Sequence, residues 1–226
     1  MIDSPPLPRP SSAGDVAVTS PAGLSRSSIS WVRVVALALL AVGVWQVGHG
    51  AWIYAKALLA QRLLQRAWAR TLAGESAVRP WPWADTWPVA RLRVPGHGVD
   101  LIVLDGVSGR TLAFGPGHAG GSAWPGAPGT AIFSGHRDTH FRFLARLVPG
   151  DEIVVDTPGR PSARFHVREA AVVDSRTAVI GRAADGSAAL VLVTCYPFDA
   201  VRPGGPLRYV VAAEAASSVA PRSSGD

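Results

Sequence analysis

Cys195 is the only cysteine of the 226-residue chain, and it directly follows the apolar run Ala188–Thr194. A short run of this kind, rich in Val and Leu, is typical of a buried β-strand. The end of a strand holds a side chain rigidly at an accessible edge, which suits a nucleophile. A free cysteine is, however, also a common buried side chain. The spacing alone therefore leaves two interpretations open, a reactive thiol and an inert cysteine of the core.

His136 favours the reactive thiol. It follows a second strand-like run, Gly129–Ser134, and a thiol becomes a strong nucleophile when a histidine or another positive group stands beside it. His140, which comes four residues later in a predicted helical turn, is the main competitor for this role. The two histidines could also bind a metal at i,i+4 spacing, but no glutamate follows His136 as in an HExxH motif. No metal site is therefore predicted.

Composition narrows the class of protein further. Hydrophobic residues make up 48% and charged residues 17% of the chain, which excludes wholesale disorder. A single cysteine excludes a disulfide framework. The net charge is +6, but eight basic and four acidic residues lie in 1–90, against fourteen and twelve in 91–226. The excess therefore flanks the N-terminal segment, and no nucleic-acid partner is predicted, because such a partner needs a basic face on the domain.

The elements that must position Cys195 and His136 are short and β-rich. Seven runs are predicted to be strands: Ala90–Val94, Leu101–Leu104, Gly129–Ser134, Asp151–Asp156, Arg164–Asp174, Ala188–Thr194 and Leu207–Ala213. Seven short strands separated by Gly and Pro turns predict a mostly β fold, either a sandwich or a barrel. One helical turn is predicted, at Thr139–Leu147, which is too little helix for a Rossmann-like sheet. The Gly-rich stretch Gly115–Ser122 lacks the Gly-Lys-Ser/Thr ending of a phosphate loop and is predicted to be a mobile or tightly turned loop.

The N-terminal third has a different texture. Residues 1–30 are rich in Ser, Pro, Ala and Gly and are predicted to be a disordered tail, as are residues 215–226. Residues 31–55 contain the apolar run Val34–Ala55, whose length at about 1.5 Å per residue matches a hydrocarbon core of about 30 Å. We predict an uncleaved transmembrane signal anchor. A cleaved signal peptide is the alternative, although the run is longer than the apolar region of such peptides.

Residues 56–79 follow the predicted span and contain an amphipathic helix. Apolar side chains recur at helical spacing from Leu58 to Trp68, and Arg62, Arg66 and Arg70 form one stripe. Such a helix could lie on the membrane surface, continue the span or pack on the domain, and the pattern leaves these alternatives open. Three prolines between residues 80 and 88 exclude a helix there. The compact domain is predicted to occupy residues 80–214.

Three blocks of sequence resemble those of one enzyme family. Residues 130–141 read TAIFSGHRDTHF, residues 192–198 read LVTCYPF and residues 206–209 read PLRY. In this order they resemble the His, Thr-Leu-x-Thr-Cys and Arg blocks of sortases, most of all the class GN or marine proteobacterial type, which is related to class D. The resemblance covers residues 80–214. One departure is Leu-Val-Thr-Cys in place of Thr-Leu-x-Thr-Cys, and it leaves the chemistry unchanged.

The resemblance implies a closed β-barrel of about eight strands with short helices, and a cysteine transpeptidase that needs no metal or organic cofactor. Cys195 would attack a backbone carbonyl of a protein substrate with a C-terminal LPxTG-like sorting signal. His136 would serve as acid and base, and Arg208 would donate to the developing oxyanion. The thioacyl enzyme would then pass the protein to an amine acceptor. The residues expected to bind the substrate are Arg137, Thr194 and Tyr196.

Arg202 is the rival of Arg208 for the arginine role. It lies in the loop Val201–Gly205, whereas Arg208 opens the predicted strand Leu207–Ala213. A group that must meet a developing charge needs a rigid mount, and a strand is more rigid than a loop. We therefore expect Arg208 to be the catalytic arginine.

The resemblance also implies a single-pass protein of the inner membrane of a Gram-negative cell, with its catalytic domain in the periplasm. The positive-inside rule points the other way, because Lys56, Arg62, Arg66 and Arg70 follow the span. We follow the resemblance and expect the catalytic domain to lie in the periplasm, with these basic residues bound to anionic lipid head groups. The alternative functions are a hydrolytic cysteine peptidase of the thiol-protease kind and a non-catalytic, membrane-anchored β-barrel adaptor with a buried thiol.

Overall fold

The structure is a computed structural model that describes residues 26–181, 183, 186–200 and 204–216. The chain divides between Trp52 and Ile53 into two compact units. Most of the tails predicted at 1–30 and 215–226 lie outside the described residues, and so does Arg202, the rival arginine.

Helix α1 spans Arg26–Leu72 and therefore begins inside the predicted tail. In the described part of the chain it is the one helix that is long and apolar enough, by length and composition, to cross a membrane. The residues from Ser30 to Leu59 are all exposed, and the tryptophans Trp31 and Trp45 are 69% and 73% exposed. The mostly apolar run Val34–Ala55 within this exposed stretch fits a single-pass membrane anchor.

Eight strands close into a barrel, as the resemblance implies. They are β1 (Pro88–Val94), β2 (Val99–Asp105), β3 (Gly117–His118), β4 (Gly129–Ser134), β5 (Glu152–Asp156), β6 (Ala163–Asp174), β7 (Ala188–Cys195) and β8 (Leu207–Ala215). Their order around the barrel is β1-β2-β3-β4-β7-β8-β6-β5. The pairs β2–β3 and β4–β7 are parallel, and the other pairs are antiparallel. All seven predicted strands are present, with ends that differ from the predicted ones by at most two residues.

The strand that the sequence did not predict is β3, which is only two residues long and lies in the Gly-rich stretch predicted to be a loop. It joins β2 to β4 and so completes the ring of strands. At Gly117 an added Cβ would lie 2.0 Å from the carbonyl oxygen of Gly106. Glycine is therefore needed here for the close approach of two backbones, and not only for a turn.

Short helices are more numerous than predicted. The turn expected at Thr139–Leu147 is a 3-10 helix over Arg142–Arg146. A second 3-10 helix covers Pro95–His97, and a single α-turn, α2, covers Gly109–Leu112. The prediction of a single helical turn was therefore wrong. A local hydrogen bond explains why α2 begins here: the Ser108 hydroxyl accepts a hydrogen bond from the Thr111 N–H and so caps the N-terminus of the turn.

The interior of the barrel is apolar and holds the strands in place. The large side chains Leu92, Phe133, Ile153, Phe165 and Leu192 are each 0% exposed and belong to one cluster. Full burial of such a side chain stabilises a fold by about 1.5–3 kcal/mol. The strands that carry the candidate site are therefore held in position by the packed interior of the barrel.

The C-terminal part of α1, within the unit that begins at Ile53, packs on the barrel. Leu64 and Trp68 are 1% and 3% exposed and contact Ile102 and Leu104 of β2. Nearby, the Gln61 side-chain amide donates to the Phe114 carbonyl at 3.0 Å. Of the alternatives left open for the amphipathic helix, the structure thus shows packing on the domain. The arginines of the stripe, among them Arg62 and Arg66, stay exposed.

Candidate active site

Cys195, His136 and Arg208 come together at one end of three neighbouring strands. β7 ends at Cys195, and its antiparallel neighbour β8 places Arg208 directly opposite the cysteine. On its other side β7 runs parallel to β4, whose last residue, Ser134, is paired with Val193. His136 follows two residues later. Because neighbouring strands lie about 4.8 Å apart, the cysteine stands between a strand that leads to the histidine and a strand whose second residue is the arginine.

The thiol and the guanidinium lie on the outer face of the barrel. Leu192 and Thr194 of β7 are buried toward the interior, so the alternation of a strand turns Cys195 outward. On β8 the same alternation places Val211 inside, at 0% exposure, and Arg208 outside. Cys195 is a free, half-buried thiol. Its position does not match that of an inert cysteine of the core.

Three hydrogen bonds fix the backbone that carries His136. The Gly135 N–H donates to the Val193 carbonyl at 3.1 Å, and the Phe141 N–H donates to the His136 carbonyl at 2.9 Å. The Thr194 hydroxyl donates to the Gly135 carbonyl at 2.7 Å. Gly135 is itself buried, and an added Cβ there would lie 2.8 Å from the Phe141 ring. The residue before the histidine must therefore be small, and the histidine is held beside the end of β7.

His136 and its competitor His140 have different environments. His136 is exposed, whereas His140 is half-buried. Burial lowers the pKa of His140, the positive charge on His136 lowers it further, and the carboxylate of Asp138 acts against both. The two imidazoles are therefore close enough to influence each other, and His140 favours the neutral form. Of the two, His136 is the one whose backbone is tied to the residues next to Cys195.

The Arg208 guanidinium is held by the chain on its own side of the site. Its Nη1 donates to the carbonyls of Gly205 at 2.8 Å and Leu207 at 2.9 Å. Within the described residues these are the hydrogen bonds of Arg208, and its Nε and Nη2 atoms make none there. A guanidinium has five N–H donors in a fixed plane, so some can hold its position while others bind a substrate.

Arg137 directly follows His136, and Tyr196 directly follows Cys195. The Arg137 Nη2 donates to the Ala200 carbonyl at 2.8 Å, and so joins the loop after His136 to the loop after Cys195. Tyr196 stacks on Tyr209 with ring centres 6.2 Å apart, and Phe198 meets Tyr209 edge to face at 5.1 Å. These contacts give the cysteine an aromatic flank, which suits the apolar parts of a peptide.

Thr194 faces the interior, unlike its neighbour Cys195. Its side chain is 2% exposed, and its hydroxyl is engaged with the Gly135 carbonyl. The structure therefore gives Thr194 a positioning role between the strands of the histidine and the cysteine. A direct contact between this side chain and the substrate stays a prediction of the resemblance.

Two open grooves lie on the same outer face, and the sequence analysis did not identify their residues. One, of about 740 Å³, is lined by Thr130 and Ile132 of β4. The other, of about 610 Å³, is lined by Val191 of β7 and Val210 of β8. The signal that could have found them is the two-residue alternation, because each shares the outer face with Cys195.

Comparisons with known proteins agree with this geometry. The family model described as the sortase domain matches residues 92–216. Sortase D of Bacillus subtilis (strain 168) is 30% identical over 120 residues, which is 53% of this chain and 60% of that protein. The match thus spans less than two thirds of the length of the curated relative. A relation to class D is confirmed, and the GN subclass stays a prediction.

The solved structures with a similar fold include several sortases. A Clostridium perfringens sortase D5 transpeptidase has a TM-score of 0.50 at 27% identity, covering 57% of this chain and 79% of that one. Sortase C-1 from Actinomyces oris also has a TM-score of 0.50, at 28% identity, with 57% and 74% covered. Sortase A from Corynebacterium diphtheriae is 22% identical with a TM-score of 0.54, over 72% of this chain and 86% of that one, and shows likeness of fold alone.

Proposed function

We propose, because this chain belongs to the sortase family, that it is a cysteine transpeptidase that cleaves an LPxTG-like sorting signal and transfers the protein to an amine acceptor. The main support for this proposal is the position of Cys195 at one end of the barrel strands. It lies between β4, which leads to His136, and β8, which carries Arg208. Acyl transfer through a thioester needs a nucleophile, a proton-transfer group and an anion-binding group at one accessible place.

In the first half of the reaction Cys195 is acylated. The Cys195 sulfur attacks the carbonyl carbon of the scissile peptide bond, and a C–S bond replaces the C–N bond. His136 takes up the proton of the Cys195 thiol and gives it to the departing amine, which leaves with the C-terminal part of the sorting signal. The thioester keeps much of the free energy of the broken bond, so the second half needs no nucleotide or other energy source.

In the second half an amine takes the place of the leaving group. The acceptor amine attacks the thioester carbonyl, His136 removes its extra proton, and the C–S bond breaks to restore the Cys195 thiol. Negative charge builds on the carbonyl oxygen in both halves. Arg208 is the donor that would meet this charge, from the strand residue directly opposite the cysteine.

Substrate contacts would come from the segments around the thiol. Tyr196 stacks on Tyr209 beside the cysteine, and Arg137 holds the loop that follows Cys195 through its hydrogen bond to the Ala200 carbonyl. Thr194 would act through the backbone of Gly135, which it holds. We expect these residues to shape the binding of the sorting signal, whereas Cys195, His136 and Arg208 carry out the bond changes.

We further propose that the enzyme is anchored in the inner membrane of a Gram-negative cell through the exposed apolar part of α1, with the barrel in the periplasm. The full chain should then stay with membranes after carbonate extraction. Protease added to spheroplasts should degrade the barrel. Full protection of the barrel from that protease would contradict the periplasmic location.

The activity is tested with the full chain in detergent, a peptide that contains an LPxTG-like sequence, and an added primary amine. Mass spectrometry should detect the peptide cut within the signal and joined to the amine, and the Cys195→Ala protein should give neither product. Cleavage without amine transfer at any amine concentration would instead show a hydrolytic peptidase. No cleavage by the wild type across a panel of such signals would contradict the proposed substrate class.

A further inference from the structure

The loop between β6 and β7 includes described residues, among them 178–181 and 183, that lie beside the outer face of strands β4, β7 and β8. Its residues Ile180, Gly181 and Ala183 line both grooves, together with Thr130 of β4. This loop therefore forms a wall between the two grooves. A substrate peptide bound on this face meets the wall.

Thr130 ties the wall to the barrel. Its Oγ1 donates to the Gly181 carbonyl at 3.0 Å and accepts from the Ala183 N–H at 2.9 Å. One hydroxyl thus serves as donor and acceptor at once, which only Ser, Thr and Tyr side chains can do in this way. Thr130 is 9% exposed, so water competes poorly for these bonds. Among the described residues, these are the hydrogen bonds that join residues 179–181 and 183 to a strand.

Apolar packing adds little to hold the wall in place. Val179 and Ile180 are 91% and 40% exposed. Val191, which faces outward on β7, is 7% exposed and lines the second groove together with Val179 and Ile180. A segment with few buried apolar groups opens easily, so its hydrogen bonds decide how often it is closed.

We propose that Thr130 is a positioning residue that fixes this wall and thereby sets how tightly the substrate peptide binds. The inference rests on the proposed function. A peptide with its scissile carbonyl at Cys195 that runs along β7 reaches Val191 after four residues, or about 13 Å, and meets the wall there. Thr130 precedes His136 by six residues, or about 20 Å of extended chain, so it does not touch the reacting atoms.

The test compares Thr130→Val with Thr130→Ser in the full chain. Valine keeps the volume and the β-branch but removes both hydrogen bonds, whereas serine keeps the hydroxyl. Thr157→Val is the matched control, because Thr157 is 8% exposed and its hydroxyl has no hydrogen-bond partner in the described part of the chain. Two readouts are measured: amide hydrogen exchange at Ala183 without substrate, and KM and kcat for amine transfer.

We expect the Ala183 amide to exchange faster in Thr130→Val, because this N–H donates to the missing hydroxyl. KM for the peptide should rise about 10-fold with kcat unchanged, as expected for two hydrogen bonds of ordinary net strength. Thr130→Ser and Thr157→Val should match the wild type in both readouts. Rescue by serine separates the lost hydroxyl from a general effect on folding.

The two proposals fail in different ways. Unchanged Ala183 exchange in Thr130→Val would overturn the tie itself, whatever the enzyme does. Faster exchange with an unchanged KM, or a fall in kcat instead, would overturn the role in substrate binding. A wild-type protein that forms no amine product would contradict the proposed function, and the exchange measurement would still decide whether Thr130 fixes the loop.

Discussion

Phe133, Leu192 and Val211 face the interior of the barrel from β4, β7 and β8, and each is 0% exposed. Cys195 and Arg208 lie on the outer face of the same strands and are half-buried. The backbone is shared, so the apolar packing on one side fixes the positions of the reactive groups on the other. The barrel thus combines a rigid interior with an accessible site, and the strand alternation keeps the two apart.

The largest effect is expected when the site loses His136, the proposed proton-transfer group. His136→Ala should lower transpeptidation by about 10²–10⁴-fold, because a positioned acid and base contributes that much to the rate. His140→Ala should keep a substantial fraction of the activity, since His140 is not tied to the end of β7. The measurement is amine transfer by each variant, with circular dichroism to confirm folding. Equal loss in the two folded variants would contradict the assignment of roles.

Arg208→Ala removes the anion-binding group and should lower kcat by about 10²–10³-fold, with a much smaller change in substrate binding. Arg208→Lys should rescue poorly, because a compact ammonium cannot reproduce the planar fork whose Nη1 binds the Gly205 and Leu207 carbonyls while its other donors point elsewhere. Arg202→Ala is the control predicted from the sequence to have little effect. Peptide binding to each variant is measured separately from turnover. Wild-type turnover in Arg208→Ala would exclude this arginine from the mechanism.

Thr194 links the interior of the barrel to the proposed site, because its side chain is buried and its hydroxyl holds the backbone next to His136. Thr194→Val should lower the free energy of unfolding by about 1–3 kcal/mol, because the buried Gly135 carbonyl loses its partner. It should also lower kcat, since this bond holds the backbone before His136. Thr194→Ser should restore both values. A rise in KM alone, with stability and kcat unchanged, would instead support the substrate contact predicted from the resemblance.

The smallest effect concerns stability at mildly acid pH. Burial and the charge on His136 lower the pKa of His140 below its usual 6.5. The unfolded chain therefore takes up a proton at a higher pH than the folded chain, and stability falls as the pH drops through 6.5. His140→Gln should flatten the fall of Tm between pH 7.5 and 5.5. An unchanged slope in His140→Gln would show that His140 titrates normally.

Asp151 acts in a lower pH range. The Val148 N–H and His97 lower the pKa of its carboxyl group, so its contribution to the stability of the fold is lost only as the pH falls below the usual pKa of 3.8.

The sequence predicted most of the barrel because the signal for a strand is local. Gly129–Ser134 and Ala188–Thr194 could be found from apolar runs and turn residues alone, and they are the strands next to the site. β3 could not be found, because two residues are too few for a pattern and their pairing depends on neighbours elsewhere in the chain. The amphipathic helix was visible, but its contact with β2 was not.

The proposed catalytic residues could be located in the sequence because each lies at or next to the end of a strand, in a recognisable block. The contacts that position them could not, since they join distant parts of the chain. Arg137 meets Ala200 across 63 residues, and Thr194 meets Gly135 across 59. Such pairs become neighbours only through the parallel pairing of β4 with β7, which no local pattern specifies.

The most direct test of the central claim is the intact mass of the protein after incubation with an LPxTG-like peptide and no amine acceptor. The wild type should gain the mass of the acyl fragment through a thioester on Cys195, and hydroxylamine should remove it. The Cys195→Ala protein should gain nothing, because the chain has no second thiol. An acyl adduct on the Cys195→Ala protein, or cleavage by that protein, would contradict a mechanism that depends on Cys195.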